Sequence, residues 1–405
     1  MLWGVCFFNY ADRMAISAVL PVLEHEFRFD KQQLGLISSA FMVIYAGASP
    51  LAGMIGDRLR RKTLIIGGFL FWSTVTMLTG WARTFWQFYI IRALEGFGEA
   101  FYFPASMAVL GDYHSGRTRS RAMSIHQSSV YLGTIGGTTL GGLFAEHWGW
   151  RTGFYLFGGL GMVLAVVLGR ALREPRRGQA EPSPEAFATG SKLGMGELLR
   201  HIFRTPVAPL LMLAFVGANF VATTFLSWMP TFLYEKFHMH LAVAGLTGTV
   251  FIQLASAVGS PLGGVLADRL ARRYRGGRML VQALGLLSGA GFVFLTGTTR
   301  EVGVLMFAMS VFGFCKGLYD ANIFASLYDV VDPRARASAA GLMNCVGWAG
   351  GAMAPALIGR LVTYGGAANE VANFSRAIAF GGIIYLVGAA LLVGAFLLLA
   401  RRAEG

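Results

Sequence analysis

Apolar residues run along this chain in long stretches, and charged residues collect in the short segments between them. Twelve stretches approach the ~20 residues that a helix needs to cross a bilayer. They lie near 2–23, 33–56, 63–82, 86–111, 120–145, 150–171, 206–234, 241–267, 278–298, 301–328, 335–363 and 374–400. The fifth and eleventh are rich in glycine and small polar residues, which suit a lipid-embedded helix because small side chains let neighbours approach closely. The pattern predicts an all-α membrane protein with twelve transmembrane helices in two six-helix bundles. Residues 1–172 form the first bundle, 173–205 a cytoplasmic linker rich in proline, charge and small residues, and 206–405 the second bundle.

Composition supports the membrane class, since 55% of the residues are hydrophobic and 14% charged. Soluble domains carry roughly a quarter charged residues. The net charge of +13 raises nucleic acid as a partner, and the position of the basic residues answers it. With a cytoplasmic N-terminus, the cytoplasmic segments hold 22 lysines and arginines and the opposite side 6. That is the positive-inside pattern; it places both termini in the cytoplasm and removes the need for a nucleic-acid partner. Cys6, Cys315 and Cys345 all fall within predicted spans, so no disulfide framework or metal motif is expected. The first apolar stretch contains Asp12 and Arg13 and lacks a basic leader, which argues against a cleavable signal peptide.

The loops reveal a duplication. "GMIGDRLRRK" from Gly53 and "GVLADRLARR" from Gly264 both fit G-x-x-x-D-R-x-x-R-[KR], and they stand 211 positions apart. Asp112, Arg117 and Arg119 share the spacing D-x4-R-x-R with Asp329, Arg334 and Arg336. Two six-span halves with matched cytoplasmic motifs follow from this agreement.

Twelve spans, a central loop and this motif after spans two and eight resemble the major facilitator superfamily over essentially the whole chain. The resemblance implies two bundles around a central cavity that opens alternately to either side. Within the superfamily, "NYADR" from Asn9, "RALEGFGEAFYFPAS" from Arg92, "WGWR" from Trp148 and "SWMPTFL" from Ser227 are similar to the anion:cation symporters of organic anions. The first two stretches also resemble the spinster-like lipid transporters, while "FPAS" and "WMPTFL" favour the organic-anion family.

Charges inside the spans are the candidate chemistry, because a charge at the bilayer centre costs at least about 2.5 kcal/mol and normally faces a cavity or a partner. Arg92, Glu95 and Glu99 share one face of span four, Asp12 and Arg13 are adjacent in span one, and Lys316 and Asp320 lie one turn apart in span ten. A carboxylate held by an arginine stays ionised, and one deprived of its arginine in a low-dielectric site takes up a proton. A substrate anion that captured the arginine would therefore couple its own movement to a proton. The resemblance implies that Asp12 and Glu99 are proton sites and that Arg13 and Arg92 bind or orient the anion, a role that suits the planar fork of arginine. The simpler reading of Glu95 is a fixed pair with Arg92, and Lys316 with Asp320 stands open between an internal pair and a cavity-facing one.

Tyr45, Gln127, Tyr131, Asn219 and Asn344 are further substrate-binding candidates, with Thr223, Gln253 and Asn322 as other polar groups inside spans. Interhelical hydrogen bonding explains most residues of this kind. His126 reads first as a packing residue, with a proton relay as the alternative. Asp57, Arg58, Asp112, Asp268, Arg269 and Asp329 are gating candidates, with Asp112 and Asp329 as partners for Arg58 and Arg269. "GTIGGTTLGG" from Gly133 suggests close packing across the bundle interface, and it lacks the proline of the superfamily's antiporter motif.

The leading expectation is a proton-coupled symporter of a small organic anion, a sugar acid or other carboxylate, working by alternating access as a monomer in a bacterial inner membrane. A spinster-like transporter of lysolipid or a similar amphiphile is the rival. The chain contains no H-E-x-x-H, G-x-S-x-G or Walker-type loop, so neither an enzyme, an ATP-driven pump nor a cofactor is expected.

Overall fold

The computed structural model describes residues 1–56, 59–114, 119–175, 206–331, 336–364, 366 and 369–401. Asp57, Arg58 and most of the expected linker at 173–205 lie outside the described residues.

Fourteen helices and no strand occur among the described residues. The first seven are α1 Leu2–Phe27, α2 Lys31–Gly56, α3 Arg61–Thr79, α4 Phe85–Ala100, α5 Tyr102–Tyr113, α6 Arg119–His147 and α7 Trp150–Ala171. The second seven are α8 Val207–Phe237, α9 Leu241–Arg273, α10 Gly277–Thr298, α11 Val302–Asp320, α12 Ile323–Tyr328, α13 Arg336–Thr363 and α14 Glu370–Arg401. Eight stretches are long and apolar enough to cross a membrane by length and composition: α3, α7, α8, α9, α10, α11 with α12, most of α13, and α14. With α1, α2, α4–α5 and α6 they make twelve spans. The helical solution is dictated by the solvent, since lipid offers no partner to a backbone N–H or C=O.

Two of the twelve spans are broken, which the hydropathy pattern does not reveal. Span four divides at Phe101, where Pro104 lacks the N–H that would bond the Ala100 carbonyl. Span ten divides at Ala321 and Asn322. There the Asn322 amide donates to the Leu318 carbonyl at 3.0 Å and the Gly263 carbonyl at 3.2 Å, so side-chain chemistry satisfies the interrupted helix.

The burial pattern is that of a protein dissolved in lipid. Asp12, Arg13, Arg92, Glu95 and Glu99 are buried, while Val163, Val167, Phe294, Phe307, Phe380 and Val387 are exposed.

The chain divides into two compact units. One holds α1–α7 with Leu226–Thr249, and the other holds the remainder of α8 and α9 with α10–α14. In the first unit Ile65, Phe69, Trp72, Tyr102, Val109 and Leu168 join Val5 and Cys6 in a core built from α1, α3, α5 and α7. Glycines set the helix spacing. A Cβ on Gly133, Gly137 or Gly141 of α6 would lie 2.5, 2.3 or 3.0 Å from the carbonyl oxygens of Phe7, Ala11 and Ala15, so α1 and α6 touch backbone to backbone. These three glycines of the span-five stretch thus face α1 within one unit. Gly142 instead meets the Leu241 and Ala242 backbone, and Gly245 meets Thr138, where the Thr138 and Thr249 hydroxyls are 3.0 Å apart. Lys31, 1% exposed, is bonded to Glu24 of α1 and Glu235 of α8. In the second unit Gly285 and Gly289 of α10 let α11 close in, and Phe312 packs on Phe225 and Tyr385 at centroid distances of 4.5 and 5.7 Å.

Candidate functional site

Helix α4 is fixed at its start by a capping box. The Thr84 side chain accepts from the Gln87 N–H, and the Gln87 side chain accepts from the Thr84 N–H at 3.2 Å. From that anchor two turns of helix carry Arg92, Glu95 and Glu99 inward, all at most 3% exposed. Gly96 lies between them, and a Cβ there would stand 2.3 Å from the Phe41 carbonyl oxygen. The absence of a side chain lets α2 close on α4 and puts the Phe41 ring between the two arginines.

Arg13 of α1 meets Glu99 of α4. Its Nη2 donates to Glu99 Oε2 at 2.6 Å and its Nε to the same oxygen at 3.1 Å. The guanidinium carbon lies 4.7, 4.6 and 4.9 Å from the ring centroids of Tyr10, Phe41 and Tyr45, an aromatic cage that holds the cation by its faces. Arg92 pairs with Glu95, donates to the Arg13 carbonyl at 3.4 Å and stands 4.9 Å from the Phe41 ring. Thr76 donates to the other Glu95 oxygen at 3.2 Å, so Glu95 is tied on both sides. Asp12 is adjacent in sequence to Arg13 yet makes no ion pair with it; both its oxygens are buried near the Trp72 indole without a well-formed hydrogen bond, and Glu99 Oε1 is buried without one as well. The cluster therefore contains two bonded ion pairs, one spare carboxylate and one free carboxylate oxygen within the first unit.

Of the remaining candidates, Tyr45 joins this cluster through Arg13. Gln127 is exposed and Tyr131 half-buried on α6. Asn219 donates to the Phe215 carbonyl of its own helix at 3.2 Å, and Asn344 is half-buried on α13. Lys316 and Asp320 bond to each other one turn apart, and both are more exposed than the paired charges of Arg13, Glu99, Arg92 and Glu95. Asn322 serves the break in span ten. His126 Nε2 is 3.0 Å from the Tyr102 hydroxyl, which donates its one hydrogen to the Leu2 carbonyl at 2.9 Å. The imidazole is accordingly the donor in that bond, and its Nδ1 is buried without a partner.

One gating residue, Asp329, has a partner other than the expected one, while the expected Arg58 partner of Asp112 lies outside the described residues. Asp112 is bonded by Arg61, whose guanidinium also reaches the Ala108 carbonyl at 3.2 Å. Asp329 accepts from Arg278 at 2.6 Å, and Asp268 accepts from the same arginine at 2.9 Å. The expected partner of Asp329, Arg269, is replaced by Arg278, because the first turn of α10 brings the latter to the ends of both α9 and α12. Arg61 and Asp112 are separated by 51 positions, and so are Arg278 and Asp329. The duplication thus repeats an arginine–aspartate clasp at the same spacing in both halves. "WGWR" has a local role: Glu26 accepts from Trp150 Nε1 and from Arg151, each at 2.7 Å. Burial opposes the charge of Glu26, and these hydrogen bonds outweigh it and hold the carboxyl below its ordinary range.

A model of the Major Facilitator Superfamily matches residues 2–355 and 232–405. The chain belongs to this superfamily. The eight helices among the described residues that are long and apolar enough to cross a membrane agree with an integral membrane protein of that superfamily. Human protein spinster homolog 1 is 30% identical across 71% of this chain and 57% of that protein. The probable galactarate/D-glucarate transporter GudP of Escherichia coli is 26% identical across 96% of this chain and 90% of that protein. A crystal structure of a bacterial homolog of the human lysosomal transporter spinster, inward-facing and unoccupied, matches with a TM-score of 0.79 at 20% identity. It covers 100% of this chain and 95% of that one, and it shows the fold. The chain spans about three fifths of the length of the spinster relatives it matches.

Proposed function

We propose that this transporter carries a small organic anion, a sugar acid or other carboxylate, together with protons. The observation that carries the proposal is the Arg13–Glu99 pair beside the unpaired Asp12. A substrate carboxylate offers Arg13 the same acceptor chemistry as Glu99. Once it captures the guanidinium, Glu99 is a buried carboxylate without its cation, and binding a proton relieves the cost. Asp12 is the second proton site. Arg92 orients the anion beside Phe41, while Glu95, held by Arg92 and Thr76, keeps that arginine in place. Charge neutrality then links loading of the anion to loading of the proton. The two sequence halves, 1–172 and 206–405, act as the bundles of an alternating-access cycle in an inner membrane, with both termini in the cytoplasm. The names of the galactarate/D-glucarate and L-galactonate transporters among the relatives support a sugar-acid substrate.

The match to spinster relatives at 30% identity favours a second reading, a lysolipid or similar amphiphile as the cargo. Thermal stabilisation of the purified protein by a panel of ligands separates the two, because a ligand that binds the folded state alone raises its midpoint by mass action. The expected result is stabilisation by one carboxylate that disappears in Arg13→Met. Stabilisation by lysolipids alone would transfer the chain to the second reading.

A further inference from the structure

The start of α3 and the end of α7 border a groove of about 580 Å³ that shares no lining residue with the Arg13–Glu99 cluster. Arg60, Lys62 and Thr63 stand at its mouth, and Ile66, Gly67 and Leu70 line it deeper along α3. Neither the Arg60 guanidinium nor the Lys62 ammonium has a partner among the described residues. Glu174 also lines the mouth, but its two oxygens accept from the backbone N–H groups of Arg61 and Lys62 at 2.9 and 2.7 Å. The carboxylate thus closes the first turn of α3, and the two side-chain cations stay available to an outside anion.

Two glycines make the groove. A Cβ on Gly67 would meet nothing within 4 Å, and one on Gly169 of α7 would meet only Ile66, at 3.7 Å. Val166, one turn before Gly169 on α7, is exposed. From Lys62 to Leu70 the helix rises about 12 Å, so an apolar trough of that length hangs below a pair of cations at the membrane boundary. A soluble anion would use the mouth alone. A lipid uses both parts: its phosphate meets the cations and its chain fills the trough.

We propose that this groove is a binding site for a phospholipid with an anionic headgroup, its phosphate on Arg60 and Lys62 and one acyl chain along Ile66, Gly67 and Leu70. The inference does not depend on which substrate the protein transports. The test is native mass spectrometry of the full chain in detergent, titrated with phosphatidylglycerol or phosphatidylcholine, with glycerol phosphate as a soluble competitor. The expected result is one site that prefers phosphatidylglycerol by roughly thirtyfold, the size of effect that two basic residues at about 1 kcal/mol each exert on an anionic headgroup. Arg60→Ala with Lys62→Ala removes the preference while leaving phosphatidylcholine bound as before. Gly67→Leu, whose side chain points into open space in the protein, weakens both lipids with the thermal midpoint of the lipid-free protein unchanged. Equal binding of the two lipids by the unaltered protein, or a preference that survives the double substitution, overturns the proposal. Displacement of the lipid by an equal concentration of glycerol phosphate assigns the mouth to a soluble phosphate and overturns it as well.

Discussion

Arg13 and Arg92 both lie within 5 Å of the Phe41 ring, and each is committed to its own glutamate. Such a site is sensitive to losing one charge and tolerant of losing a pair. Arg13→Met leaves Glu99 buried without its cation, at a cost of about 3 to 5 kcal/mol, whereas removing both partners replaces the pair by apolar packing. The thermal midpoint of Arg13→Met is expected to fall well below that of Arg13→Met with Glu99→Leu; equal losses would show that the pair is not coupled. Lys31 presents the same logic with the signs reversed. Lys31→Ala removes the cation shared by Glu24 and Glu235 and lowers the midpoint, and Lys31→Arg recovers most of it by keeping the cation; a Lys31→Arg variant as unstable as the alanine would contradict the role of that cation. At this scale the sequence was partly legible. Spacing alone puts Arg92, Glu95 and Glu99 on one face, and the pairing of Glu95 with Arg92 is a contact one turn apart. The bond from Arg13 to Glu99 joins residues 86 positions apart, and only the meeting of α1 with α4 creates it. Asp12 precedes Arg13 in the chain and does not pair with it, since neighbours in a helix point to different faces.

The elements show the duplication more fully than the loop motifs do. The first helix of each half ends on a non-glycine residue in the left-handed region, Arg28 at φ 56° and His238 at φ 52°. Spans four and ten are both broken, at Phe101 and at Ala321–Asn322, and an arginine at the start of the third span of each half clasps an aspartate at the end of the fourth. Hydropathy reads none of these features, because a break of one or two residues and a side-chain clasp leave the apolar run intact. Arg28→Gly and His238→Gly each relieve the left-handed strain, and each is expected to raise stability by up to about 1 kcal/mol. A lower melting temperature in either variant would mean that the side chain contributes more than the backbone strain removes. The glycines of α6 give the opposite case. Gly137→Leu drives a side chain into the Ala11 carbonyl and should cost about 3 kcal/mol or more, while Gly159→Ala, with nothing within 4 Å, is expected to be neutral or slightly stabilising. Comparable losses in the two variants would refute the role assigned to the α1–α6 contact.

For the molecule as a whole, apolar composition and the distribution of basic residues define the twelve spans because lipid imposes its rule on every one of them. The grouping of Leu226–Thr249 with the first unit is a tertiary fact with no trace in hydropathy. The central claim is that binding of an anion at Arg13 hands a proton to Glu99. Proton uptake into proteoliposomes, triggered by a carboxylate and compared between the unaltered protein and Glu99→Gln, tests it most directly, since glutamine keeps an acceptor for Arg13 and cannot carry the proton. Carboxylate-driven uptake is expected of the unaltered protein and none of Glu99→Gln; uptake of equal size in both would contradict a proton site at Glu99.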